Sequence, residues 1–261
     1  MSHSNTWSDK TQVIDPTATD PKDRLMVALD GNADEARAWA RELQGQAGWV
    51  KCGMTLFYQT GPEIAAEMKD LGYKVFIDLK IHDIPHQIEG AARSLGRLGI
   101  DLITIHALGG RPMMEAAMRG VAQGAQEAGV ERPRVVAVTI LTSMDAQTAH
   151  SIGLEGTAAQ QVERLTRLTK EAGVDGIVCS AQEAPMAREI LGPEAIIITP
   201  GVRPAGSDAG DQTRILTPAA AFASGASHLV VGRPITTAPD KKLAAYAIIE
   251  EIEASLSSVG I

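Results

Sequence analysis

The sequence predicts an α/β protein of one domain, a closed (β/α)8 (TIM) barrel, and three observations carry that prediction. From residue 24 onward, short apolar runs alternate with longer amphipathic stretches, and the alternation recurs eight times. Several of the short runs are apolar at nearly every position, which implies burial on both faces, as in a parallel sheet covered by helices. Eight βα units in about 230 residues fit a closed barrel better than an open doubly wound sheet, although the count alone leaves the open sheet possible.

Residues 1–23 have neither a basic start followed by an apolar run nor helical periodicity, so they read as an N-terminal tail, with the barrel domain at 24–261. The first strand is expected at 25–30 (LMVALD) and its helix at 33–44. The second strand at 48–52 leads to a helix at 61–70, and the third at 74–79 (KVFIDL) to one at 86–98. The fourth at 101–106 (DLITIH) precedes a helix at 111–128, in which Met113, Met114 and Met118 read as packing residues. The fifth strand, 134–141, is followed by a helix at 157–171, and the sixth, 175–179, by one at 183–190. The seventh, 195–199, and the eighth, 227–231, precede helices at 216–223 and 239–256. Gly129 and Gly173, each just before a strand, read as helix C-terminal caps. No Pro/Ser-rich linker divides the chain.

Composition narrows the function. The 261 residues include 24 Lys and Arg against 32 Asp and Glu, a formal net charge of −8 that disfavours nucleic acid and anionic membranes as partners. Aromatic residues are only 3%, too few for base-stacking platforms. The apolar runs are too short to span a bilayer, and no secretory leader is read, so a cytoplasmic protein is expected. Cys52 and Cys179 lie within apolar strand-like runs, as small buried hydrophobes do in a reducing compartment, and support neither a disulfide framework nor a zinc site.

In a barrel of this kind, active sites gather at the carboxyl ends of the strands. The polar residues gather there too: Asp30 after the first strand, Lys51 near the end of the second, Asp78 and Lys80 at the third and His106 at the fourth. Thr142 and Ser143 follow the fifth, Ser180 the sixth, Gly201 to Arg203 the seventh, and Gly232 and Arg233 the eighth. The densest cluster is DLKIHD, Asp78 to Asp83. Residues two apart on a strand share a face, so Asp78 and Lys80 point the same way, with Lys51 available from the adjacent strand. An ion pair about 4 Å apart at an effective dielectric near 20 is worth roughly 4 kcal/mol. A lysine among carboxylates is thus held as an ammonium, suited to donate a proton and stabilise negative charge rather than to form a Schiff base. The alternative is a plain structural ion-pair network at a strand end.

A second cluster suits a phosphate. Gly201 to Gly206 forms a Gly-containing loop with Arg203, Gln212 and Arg214 nearby in sequence, and Gly232-Arg233 follows the eighth strand. Loops after the seventh and eighth strands are where this fold often holds phosphate, using backbone N–H groups and an arginine fork. Turn glycines with solvated arginines are the plainer alternative. His82 and His86 are four apart, but Pro85 disfavours one continuous helix through both, so no metal site is assigned. His106 either touches a ligand or is a hydrogen-bonded strand-end histidine.

Taken together, these segments resemble the orotidine 5′-phosphate decarboxylase family over about 24–250, in the family's order. VALD ends at Asp30, VKCG carries Lys51, and FIDLKIHDIP carries Asp78, Lys80 and Asp83. TILTSMD carries Thr142 and Ser143, and VCSAQE follows it. ITPGVRP carries Arg203, DQTRILTP carries Gln212, and VVGRPIT carries Gly232 and Arg233. The resemblance implies a cofactor-free and metal-free conversion of orotidine 5′-phosphate to UMP and CO2, with Lys80 as catalytic lysine in a network with Lys51, Asp78 and Asp83. It implies a homodimer in which Asp83 reaches into the partner's active site. Asp30 and Lys51 would contact the ribose, Ser143 the pyrimidine edge, and Gln212 and Arg233 the phosphate, with Asp78, Thr142, Arg203 and Gly232 also in the substrate site. One departure is His86-Gln87, where the family commonly has Asn-Thr; it bears on the contact between subunits that the Thr usually makes.

Two other functions remain. A sugar-phosphate decarboxylase or aldolase of the same superfamily, similar to 3-keto-L-gulonate 6-phosphate decarboxylase or hexulose-phosphate synthase, would need Mg2+ held in part by a Glu after the second strand. Lys51 stands there, and a cation is a poor magnesium ligand. A non-catalytic nucleotide-binding barrel is the other, and full charge pairing around Lys80 argues against it.

Overall fold

The computed structural model of the chain describes residues 20–202 and 216–259. Its parallel strands close into a barrel in sequence order: β1 (Leu25–Ala28), β2 (Trp49–Gly53), β3 (Lys74–Ile81), β4 (Leu102–His106), β5 (Arg134–Val138), β6 (Gly176–Val178), β7 (Ile196–Pro200) and β8 (His228–Val231), with β8 pairing back to β1. The closed barrel is thus the observed sheet, and the open alternative is excluded.

Around it lie α1 (Ala33–Glu42), α2 (Met54–Thr60), α3 (Glu63–Asp70), α4 (Pro85–Gly96) and α5 (Gly110–Ala128). They are followed by α6 (Ala146–Ser151), α7 (Ala158–Glu171), α8 (Ala184–Leu191), α9 (Pro218–Ala223), α10 (Arg233–Thr236) and α11 (Lys241–Val259). The starts of α1 and α7 are fixed by reciprocal capping boxes, Asn32 with Glu35 and Thr157 with Gln160. Gly129 and Gly173 take left-handed backbone (φ 68° and 69°) at the ends of α5 and α7, as expected of caps. Met113 and Met114 are buried, and Met118 packs against the same core.

Three short helices, α2, α6 and α10, were not expected. Each has seven residues or fewer, too short to show an amphipathic period, and α2 (MTLFYQT) is rich in residues that favour strands. The first and fifth strands end earlier than their apolar runs, so Asp30 and residues 139–141 lie in the loops beyond.

The side-chain period of two sorts the barrel into two apolar sets. Met26, Ala28, Trp49, Phe76, Leu102, Val136, Val178, Ile196, Ile198 and Val230 fill the lumen. Their neighbours in sequence, such as Val27, Val50, Ile77, Ile103 and Val231, face the helices. Two residues further along the lumen set come Asp30, Lys51, Asp78 and Thr104, so the same alternation that packs the floor delivers polar groups to the carboxyl ends.

The floor is closed by a 3-10 turn, Pro21–Arg24, which packs under the strands. Lys22 O accepts from Gly48 N–H at 2.9 Å, Asp23 O from the Trp49 indole at 3.1 Å, and Asp23 pairs with Lys74 at 3.3 Å. Arg24 is buried and donates to Ser227 O at 3.2 Å. The boundary expected between residues 23 and 24 therefore falls inside this turn, and residues 20–23 are tied to the floor; residues 1–19 of the expected tail lie outside the described residues.

At the same end, the Asp175 carboxylate accepts from both Arg132 terminal nitrogens at 2.8 Å, from Arg134 at 3.1 Å and from Val135 N–H at 2.8 Å. Burial alone would raise its pKa, but Arg132, Val135 N–H and Arg134 outweigh it and hold the carboxyl below its ordinary range. Such a group stabilises the fold fully above the ordinary carboxylate pKa, and loses that contribution as pH falls through its lowered folded value. Asp175→Asn is therefore expected to cost about 2–4 kcal/mol at pH 7. Urea unfolding of both proteins should show the gap closing at strongly acid pH, and a gap unchanged with pH would contradict the assignment.

Candidate active site

The charged residues predicted on β1 to β3 meet at the barrel mouth. Lys80 Nζ lies 2.8 Å from both Asp78 carboxylate oxygens, and Lys51 Nζ lies 3.4 Å from Asp78 Oδ2 and 3.0 Å from Asp30 Oδ1. The cluster runs from interior to solvent: the side chains of Asp78 and Lys51 are 9% and 10% exposed, Lys80 31% and Asp30 61%. Register explains the meeting, since Gly53 pairs with Asp78 while Lys51, two residues earlier on the same face, reaches up beside it. A Cβ at Gly53 would sit 3.1 Å from Asp30 Oδ1 and 3.2 Å from Lys51 Nζ, so the glycine leaves room for the pair. Gly53 was not singled out from the sequence, where it reads as an ordinary strand end.

Asp78 and Lys80 do converge, but not by regular alternation. Pairing between β3 and β4 passes from Ile77↔Ile103 to Ile81↔Ile105, four residues on one strand against two on the other. Lys80 takes left-handed backbone at φ 49°, the one non-glycine residue with positive φ among the described residues. That conformation costs about 1–2 kcal/mol for a residue with a Cβ and persists only where its surroundings fix it. Thr104, a buried residue on β4, donates its hydroxyl to Asp78 Oδ1 at 2.8 Å and accepts Lys80 N–H at 2.8 Å. Sequence reading missed Thr104, although it lies two residues before His106 on the same face.

Burial alone would push the Asp78 carboxyl up; Lys51, Lys80 and the Thr104 hydroxyl outweigh it and hold it below the ordinary range. Burial would likewise lower Lys51, but Asp78 and Asp30 overcome it and hold its ammonium above the usual lysine value. His106 is pushed down to about 4, first by burial and then by His82 and Lys80, so its ring is neutral at pH 7. Its Nδ1 is buried without a hydrogen-bond partner among the described residues, and the ring stacks on His82 with centroids 5.4 Å apart.

Asp83 stands apart from the cluster within one chain. It is exposed, its carboxylate accepts Ile84 N–H at 2.6 Å, and it lines an open groove of about 560 Å3 with His82, Ile84, Pro85, Leu108 and Gly109. Pro85 opens α4, so His82 lies before that helix and His86 within it, and both are exposed. Thr142 is half-buried and Ser143 exposed in the turn after β5, which Met144 N–H closes onto Leu141 O at 2.9 Å. Ser180 donates to the buried Glu183 carboxylate. Gly232 caps α10 and Arg233 opens it; a Cβ on Gly232 would lie 3.8 Å from Asp30 Oδ2, which places the end of β8 against the charged cluster. Arg203, Gln212 and Arg214 lie outside the described residues.

Residues 23–248 match the family model described as Orotidine 5′-phosphate decarboxylase / HUMPS family. The chain belongs to that family. A Moorella thermoacetica protein named orotidine 5′-phosphate decarboxylase is 47% identical over 234 residues, covering 89% of this chain and 93% of that one. A protein of the same name from Halorhodospira halophila is 48% identical over 233 residues, 89% of this chain and 97% of its own. Among solved structures, orotidine 5′-phosphate decarboxylase from Lactobacillus acidophilus superposes with a TM-score of 0.78 at 38% identity, covering 87% of this chain and 98% of that one. Membership in the orotidine 5′-phosphate decarboxylase / HUMPS family agrees with the closed barrel. Among the described residues, no helix is long and apolar enough to cross a membrane.

Proposed function

We propose that this protein decarboxylates orotidine 5′-phosphate to UMP and CO2 in pyrimidine biosynthesis, as a cytoplasmic homodimer. The observation that carries the reading is the Lys80 ammonium 2.8 Å from both oxygens of a buried Asp78 at the carboxyl end of the barrel. Loss of CO2 from C6 of the orotate ring leaves an in-plane carbanion that the ring delocalises poorly. An ammonium fixed beside C6 stabilises that charge as it develops and then delivers the proton that completes UMP. The scheme calls for no electron sink, metal or cofactor.

The remaining roles are those that the resemblance to the family implies. Asp30 and Lys51 would take the ribose hydroxyls, Ser143 the pyrimidine edge, and Gln212 and Arg233 the phosphate, with Thr142, Arg203 and Gly232 also serving the substrate. Asp78 faces the substrate carboxylate and anchors Lys80, while Asp83 serves the partner subunit's site. Its exposure and lack of contact with Lys80 in its own chain favour that assignment, and the exposed Ile84 beside it suits an interface. The Mg2+-dependent sugar-phosphate alternative is disfavoured because the Lys51 ammonium bridges Asp30 and Asp78 and occupies the place a divalent ion would need.

The test is the absorbance change of orotidine 5′-phosphate mixed with purified protein in EDTA. Conversion to UMP is the expected result; no conversion by folded protein, or activity restored only by Mg2+ with a sugar phosphate, would overturn the reading. Arg233→Ala is expected to lower kcat/KM roughly 10- to 100-fold, mainly through KM, as loss of a charged hydrogen bond to phosphate does. Steady-state kinetics of the variant beside wild type, resolved into kcat and KM, would check this.

A further inference from the structure

We infer that Thr104 is a positioning residue for the proposed decarboxylation, setting the backbone of Lys80 and the carboxylate of Asp78 with one hydroxyl. The inference rests on the function proposed above and adds a residue to it. Lys80 N–H can only donate and the ionised Asp78 carboxylate can only accept. A hydroxyl at 2.8 Å from each must therefore accept from the first and donate to the second, so its single proton is committed to Asp78 Oδ1.

The geometry explains why a side chain does this work. Where four residues of β3 face two of β4, Lys80 N–H falls outside the regular ladder of parallel bonds. Thr104 Oγ1 takes the place of the missing β4 carbonyl. Thr104 is 1% exposed, so no bulk water competes for either bond. Its χ1 is restricted by β-branching, which keeps the hydroxyl pointed at the bulge. The left-handed backbone of Lys80 and the orientation of Asp78 thereby depend on each other, and Nζ is delivered to both carboxylate oxygens. Lys80 and Asp78 touch the reacting groups in the proposed chemistry; Thr104 acts through them.

The test compares wild type with Thr104→Val, which keeps the shape and removes both bonds, and Thr104→Ser, which keeps both. Valine is expected to lower kcat about 10²-fold, the order of a small misplacement at the reacting atom, with KM changed much less. Serine should restore most of the loss. Calorimetric titration with UMP, which carries no C6 carboxylate, should give similar affinity for all three proteins. The acid limb of the kcat profile should move to higher pH in the valine variant, because Asp78 loses a donor that favours its ionised form. Valine with wild-type kcat, or serine as impaired as valine, would overturn the inference. If valine does not fold, Thr104→Cys replaces it: cysteine matching serine in kcat overturns the inference, and cysteine well below serine supports it. Wild type without turnover overturns the decarboxylase reading and this inference with it, whereas an active wild type matched by valine overturns this inference alone.

Discussion

Lys80→Ala is expected to lower turnover of orotidine 5′-phosphate by about 10⁴-fold or more, with little loss of fold stability. Two effects disappear together. A positioned general acid contributes about 10²–10⁴, and a fixed charge at a developing anion about 10²–10³. The fold survives because Lys80 is half-exposed and Asp78 keeps Lys51 and the Thr104 hydroxyl as partners. UMP affinity and the thermal midpoint should therefore stay near wild type while single-turnover formation of UMP collapses. Near-normal turnover in this variant would remove lysine chemistry from the mechanism.

A chemical control separates the ammonium from the rest of the side chain. Lys80→Cys treated with 2-bromoethylamine gains a thioether ending in an ammonium, close to lysine in length. The native cysteines should not compete, since Cys52 and Cys179 are both buried and burial pushes the Cys52 thiol up to about 12. Recovery of turnover on alkylation is the expected result. Alkylated protein as inactive as alanine would show that something other than a cation at this place is required.

Why these residues were visible in the sequence, while others were not, has a physical basis. Charged side chains ending apolar strands are expensive to bury, so Asp30, Lys51, Asp78 and Lys80 stood out wherever they occurred. The parallel sheet was legible because strands covered on both faces have few polar positions to alternate with, and its closure because the βα unit recurs eight times. Thr104 was hidden for the opposite reason: threonine is a good strand former and raises no signal inside LITIH. The bulge was equally silent, because the left-handed residue that marks it is a lysine and not a glycine. Asp83 ends the DLKIHD cluster, but its role across subunits came from the resemblance alone, and in one chain its carboxylate meets its neighbour's N–H rather than Lys80.

Asp78→Asn is the second large effect, and it tests whether one carboxylate organises the whole site. Asparagine keeps the shape but offers one acceptor oxygen where Lys51, Lys80 and Thr104 now share two ionised ones. Lys51 then depends on Asp30 alone against burial, and its ammonium, held high in the wild type, should lose its proton more readily. Turnover is expected to fall about 10²-fold or more as Lys80 loses its fixed position. KM should not rise, because in the proposed pose Asp78 opposes the substrate carboxylate rather than binding it. The pH dependence has a definite sign. The Asp78 carboxyl is held below its ordinary range, so its contribution to stability is complete above the unfolded value near 4 and fades as pH falls through the lowered folded value. The stability difference between wild type and variant, read from urea unfolding, should thus hold steady from pH 5 to 8 and shrink only under strong acid. A variant with kcat within tenfold of wild type would mean that Lys80 is placed by its own backbone strain and by Thr104, with Asp78 a bystander. A loss of kcat accompanied by tighter substrate binding would instead assign part of the rate to repulsion between Asp78 and the departing carboxylate.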